Sequence, residues 1–137
     1  MRILIIDDDR AHGESLSDLL NSRDHEAYFA PSLSEATWLF DLFRFDLAIL
    51  DHDMPDLTGP QVARKLQTGD PAIRTILMSA RESNRESCQD IGSVPFLDKP
   101  IDVDRLLAII GDLASPEASS LILRLSFPLE RYRGEAR

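Results

Sequence analysis

Five short apolar runs, spaced by longer amphipathic or polar stretches, constrain this chain more than any other feature. They are RILII (Arg2 to Ile6), EAYFA (Glu26 to Ala30), DLAIL (Asp46 to Leu50), RTILM (Arg74 to Met78) and VPFLD (Val94 to Asp98). Most are apolar throughout, so both faces of each strand must be covered, and strands joined by helices run parallel. The alternation predicts an α/β fold, a doubly wound parallel sheet. Between the runs, Leu16, Leu19 and Leu20 share a helical face, as do Ala36, Leu39, Phe40 and Phe43. SLSE (Ser32 to Glu35) and SNRE (Ser83 to Glu86) read as capping boxes that start the second and fourth helices. The third helix should run from near Pro60 to near Gly69, a polar fourth from Asn84 to Ile91, and a fifth from after Asp102 to about Leu113. The aromatics of WLFDLFRF read as core, with Trp38 packed at the edge of its helix. Pro95 suits only an edge strand, which the last run is.

With 137 residues and 43% apolar composition, the chain is long enough to bury the core of one ordinary domain. A net charge of −9 and a pI near 4.7 exclude a broad phosphate-gripping face, so no direct nucleic-acid partner is expected. Cys88 is the single cysteine, which rules out an internal disulfide and fits a reducing cytoplasm. The N-terminus has too short an apolar stretch for a signal peptide, and no run reaches membrane-spanning length. His12, His25 and His52 have no metal-ligand spacing and read as surface residues.

The polar residues at the strand ends carry the functional information. Asp7, Asp8 and Asp9 follow the first run, Asp51 the third, Ser79 the fourth and Lys99 the fifth; only the second run lacks such a residue. In the flavodoxin-like strand order 2-1-3-4-5 the second strand is an edge, and ligands bind at the carboxyl ends of its neighbours. Two carboxylates about 4 Å apart repel by roughly 4 kcal/mol at an effective dielectric near 20, so crowding Asp7, Asp8 and Asp51 calls for a cation. A few hard oxygen ligands, with room left for water and a phosphate oxygen, favour Mg²⁺ over Ca²⁺. Asp51 is then a nucleophile toward phosphorus, and Lys99 and Ser79 neutralise and hydrogen-bond the remaining oxygens.

The motifs ILIIDD, DLAILDHDMPDLTG, TILMSA and FLDKP, in that order, resemble the receiver domain of two-component response regulators over about residues 1 to 114. The resemblance implies that Asp51 accepts a phosphoryl group from a phosphohistidine on a sensor histidine kinase or histidine phosphotransfer protein. It also implies Mg²⁺ held by Asp8 and Asp51 through their side chains, by Asp53 through its backbone carbonyl, and by Asp7 mainly through water. Ser79 would bond a phosphoryl oxygen, Lys99 would pair with the modified site, and Ser79 with Phe96 would form the conformational switch. The Lys99 to Pro100 bond would be cis, and Gly59 would serve a loop reversal before the third helix. A downstream protein would be met on the face formed by the fourth and fifth helices. Such a protein is a switch that promotes its own phosphorylation and dephosphorylation rather than an enzyme with a separate product.

Residues 1–114 are expected to form the receiver and 115–137 a tail that packs against it or against a second copy, as in a homodimer. The 23 tail residues carry four Arg against three Glu and are too few for an output domain of their own, so a stand-alone regulator, or a fragment cut just beyond a receiver at the start of an output region, is expected. Two rival readings exist. One is a receiver-like interaction module that is never phosphorylated. The other is an aspartyl-phosphate phosphatase of the haloacid dehalogenase type, whose D-x-D signature Asp51 and Asp53 superficially match; the motif order speaks against it.

Overall fold

The computed structural model describes residues 1–80 and 95–114. The strands are β1 (Arg2–Ile6), β2 (Glu26–Ala30), β3 (Leu47–Asp51), β4 (Arg74–Ser79) and β5 (Phe96–Asp98). They form one parallel sheet, as the alternation of runs predicts, in the flavodoxin-like order β2-β1-β3-β4-β5. The strand ends differ in one informative way: Asp51 and Ser79 are the last residues inside β3 and β4 rather than the first beyond them. Pro95 precedes β5, where its carbonyl accepts the Leu77 N–H at 2.9 Å, and the missing proline donor falls at the start of an edge strand, where it is tolerated.

Among the described residues three helices connect the strands: α1 (Arg10–Asn21), α2 (Leu33–Leu42) and α3 (Gly59–Gly69). Each starts where a side chain satisfies an otherwise unpaired backbone donor. Asp9 accepts from His12 N–H at 3.1 Å, and Ser32 accepts from Glu35 N–H at 3.2 Å. Thr58 and Gln61 form a full reciprocal capping box. A further helix, Val103–Leu113, belongs to a second compact unit that begins at Asp102. Asp102 caps it, and Leu106 and Ile110, four residues apart, form its buried stripe. The predicted fourth helix, the SNRE box, Cys88 and the tail lie outside the described residues. Among the described residues no helix is long and apolar enough to cross a membrane.

Strand alternation divides the core. Leu4, Ile6, Ala48, Leu50 and Leu77 join Ala36 of α2 and Val62, Ala63 and Leu66 of α3 in one cluster. The alternate residues Ile3, Ile5, Leu47, Ile49, Ile76 and Met78 are also fully buried. Full burial of each such side chain contributes about 1.5–3 kcal/mol, so the β1, β3 and β4 centre is the anchor on which the polar strand ends are mounted. The WLFDLFRF aromatics divide. Phe45 is buried and meets Tyr28 edge-on at 5.8 Å, while Phe43 stacks on Tyr28 at 4.9 Å. Trp38 does not pack: it is 63% exposed, one turn from the equally bare Leu42. Its position on α2 lies off the arc of Ala36, Leu39 and Phe40, and size alone does not turn a side chain inward.

Thr75 on β4 is buried, and its hydroxyl finds no hydrogen-bond partner among the described residues. A hydroxyl withdrawn from water without compensation is a standing cost. Thr75→Val is expected to raise stability by about 1 kcal/mol, read as a higher urea midpoint at unchanged slope.

Candidate functional site

The carboxyl ends of β1, β3, β4 and β5 bring Asp7, Asp51, Ser79 and Lys99 toward one another. Asp7, one residue past β1, is fully buried, and Asp51 is nearly so. Lys99 Nζ reaches Asp7 Oδ2 at 3.3 Å and Asp51 Oδ1 at 3.4 Å. One ligand oxygen from each of Asp7, Asp8 and Asp51 lies within 4.8 Å of the others. Asp8 is exposed, so this set of hard oxygens is closed on the protein side and open to solvent on the other. That donor chemistry fits Mg²⁺, which keeps several waters and needs few protein ligands.

The β3-to-α3 loop is held at both ends. His52 N–H donates to Met78 O at 2.8 Å, Gly59 N–H donates to His52 O at 3.0 Å, and Asp53 bridges Thr58. Gly59 is not a loop-reversing residue as expected, but the first residue of α3. A Cβ there would lie 2.8 Å from Leu77 Cδ2 and 3.0 Å from the His52 Cα, so close approach is what requires glycine. Asp53 N–H donates to Asp51 Oδ1 at 3.2 Å, and Ser79 Oγ–H donates to Asp53 Oδ2 at 3.2 Å. Phe96 is buried in the core cluster opposite Leu77, two positions before the Ser79–Asp98 pair. The Lys99–Pro100 bond is cis.

None of the three histidines is a fully exposed surface residue: His25 too is half-buried, with Nδ1 3.3 Å from the Met1 amino group. His52 is buried, with Nδ1 3.5 Å from Asp53 Oδ1. His12 is half-buried and sits with Nδ1 2.6 Å from Asp7 Oδ2. Sequence spacing gave no hint of the His12 contact, because it spans a strand-to-helix turn rather than one helical face.

Charges in this pocket act on one another. Burial alone would raise Asp7, but the hydrogen bonds from His12 and the Asp9 N–H, with the Lys99 ammonium, outweigh it and hold the carboxyl below its ordinary range. Burial and the neighbouring Asp7 charge push Asp51 up to about 6, against the Asp53 N–H and Lys99. Burial would lower Lys99, but Asp51 and Asp7 together raise it. The sign for stability follows. A carboxyl with its folded pKa raised above 3.8 contributes stability that is present at low pH and lost as pH rises through about 6. In the absence of divalent metal, Asp51→Asn is therefore expected to be more stable than the parent by about 1–2 kcal/mol near pH 8. The gap should close on acidification toward about pH 4, as urea titrations of the two proteins in chelator would record.

Residues 3–111 match the family model described as the response regulator receiver domain. Response regulator MprA of Mycolicibacterium vanbaalenii is 36% identical over 110 residues, covering 79% of this chain and 48% of that protein. The Mycobacterium leprae protein of the same name is 33% identical over 132 residues, covering 93% and 58%. The chain thus spans about half the length of the curated relatives it matches. Among solved structures, response regulator TrrA of Thermotoga maritima, in complex with Mg²⁺ and BeF, has a TM-score of 0.73 at 28% identity, covering 82% of this chain and 97% of that one. The receiver domain of HemR from Leptospira biflexa, in its non-phosphorylated form, has a TM-score of 0.72 at 27% identity, covering 83% and 94%.

Proposed function

Since the chain belongs to the response regulator receiver domain family, we propose that it is the phospho-acceptor switch of a two-component relay, modified on Asp51. The observation that carries this reading is the Lys99 ammonium set within 3.4 Å of both Asp7 and Asp51, at the rim where Asp8 completes a group of three carboxylates. A purely structural ion pair has no use for the third carboxylate, and an acidic turn has no use for the half-buried lysine.

In this reading Asp8 and Asp51, with the Asp53 backbone carbonyl and with Asp7 mainly through water, would hold Mg²⁺, which would offset their charge and polarise a phosphoryl oxygen. An Asp51 carboxylate oxygen attacks phosphorus. The O–P bond forms as the P–N bond of the donor phosphohistidine breaks, and the electron pair leaves with the imidazole nitrogen. Lys99 stays beside the modified carboxylate and balances its added charge. Ser79 gives up its bond to Asp53 Oδ2 and donates to a phosphoryl oxygen instead, and Phe96 adjusts with it as the switch. The donor is a sensor histidine kinase or phosphotransfer protein, and the signal passes to a protein partner through the face built by the predicted fourth and fifth helices. Residues 1–114 form the receiver, and the chain promotes its own phosphorylation and dephosphorylation.

The test is intact-mass measurement after incubation with acetyl phosphate. One phosphoryl group should be added with Mg²⁺ and none with chelator. No adduct with any phosphoryl donor would refute the reading and favour an interaction module.

A further inference from the structure

We propose that His12 is a positioning residue for Asp7, holding that carboxylate in the orientation the Mg²⁺ site uses. The inference rests on the reading of Asp7, Asp8 and Asp51 as that site. Asp7 is fully buried, so protein donors rather than bulk water must fix its carboxylate. Three are present. Asp9 N–H donates to Oδ1 at 2.9 Å, Lys99 Nζ donates to Oδ2 at 3.3 Å, and His12 Nδ1 lies 2.6 Å from Oδ2. At that distance from a carboxylate oxygen Nδ1 must carry the hydrogen, since two acceptors would repel. It is the shortest of the three contacts.

The other two donors do not make His12 redundant. Lys99 is shared with Asp51 at 3.4 Å, so its position is a compromise between two carboxylates. The Asp9 N–H fixes only Oδ1 and leaves the group free to turn about that contact. His12 is itself anchored, because its backbone N–H donates to the Asp9 side chain that caps α1. The start of α1 thereby aims an imidazole back at the end of β1. Donors behind a ligating carboxylate orient it, and their loss typically weakens metal binding about 10–100-fold.

The experiment is calorimetric titration of the full chain with MgCl₂ at one fixed pH, comparing the parent with His12→Leu, His12→Phe and His12→Asn. Asn carries its amide nitrogen at the same bond distance from the backbone as Nδ1, so it keeps the donor while losing the ring. His12→Leu and His12→Phe are expected to bind about ten-fold more weakly, and His12→Asn within about two-fold of the parent. Two apolar variants of different bulk guard against one of them failing to fold. Unchanged or tighter binding in the apolar variants overturns the proposal, as does an Asn variant as weak as they are, which would assign His12 to packing. A parent that takes up no Mg²⁺ overturns the site reading itself, a distinct result.

Discussion

Asp51→Asn is expected to bring phosphoryl incorporation from acetyl phosphate and Mg²⁺ to background, at least about 100-fold below the parent. The amide has the shape of the carboxylate but not its nucleophilic oxygen, so the reaction loses its attacking atom while the pocket keeps its form. Two neighbouring carboxylates are already engaged. Asp7 is engaged by His12, Lys99 and the Asp9 N–H, and Asp53 accepts from Ser79. Intact-mass spectra of the two proteins after identical incubation decide the matter; an adduct of equal yield in the Asn variant would relocate the acceptor. Misfolding is not a competing explanation, because the same substitution should stabilise the metal-free protein at neutral pH and above.

Lys99→Met carries the largest expected cost in stability. It removes the cation that serves two buried carboxylates at 3.3 and 3.4 Å while filling nearly the same volume. Breaking a buried pair from one side leaves uncompensated charge, at a cost of about 3 kcal/mol. The loss should be greatest in chelator near pH 8 and should shrink on acidification, because without Lys99 the already raised Asp51 takes a proton more readily. Added Mg²⁺ should restore part of it by linkage. Urea midpoints with chelator and with Mg²⁺ measure all of these effects. A loss under about 1 kcal/mol, or one indifferent to Mg²⁺, would mean that Lys99 is not the pocket's counter-charge.

Much of this was legible in the sequence, for a physical reason. Strands buried on both faces leave unbroken apolar runs, and the polar residue that ends each run marks where a backbone leaves the sheet. Asp7, Asp51, Ser79 and Lys99 could be read in that way because strand order alone brings the carboxyl ends together. What could not be read depends on turns and close approach. The reach of His12 to Asp7 arises only once Asp9 caps α1 and turns it back over the strand end. His52, flanked by acids, looks solvated, yet its backbone bonds to Met78 and Gly59 draw it inside. Trp38 looks like core from its chemistry and is outside because of its angle on α2. Thr58 and Gln61 had the spacing of a capping box, obscured by the Gly and Pro between them.

The Lys99 N–H bonds to Ser79 O at 2.9 Å, across the paired ends of β4 and β5. The backbones that carry the hydroxyl and the ammonium are therefore mounted like the two arms of a calliper on one hydrogen-bonded frame. If the proposed function holds, a tetrahedral anion between them needs only side-chain adjustment, because the spacing of the two backbones is set during folding.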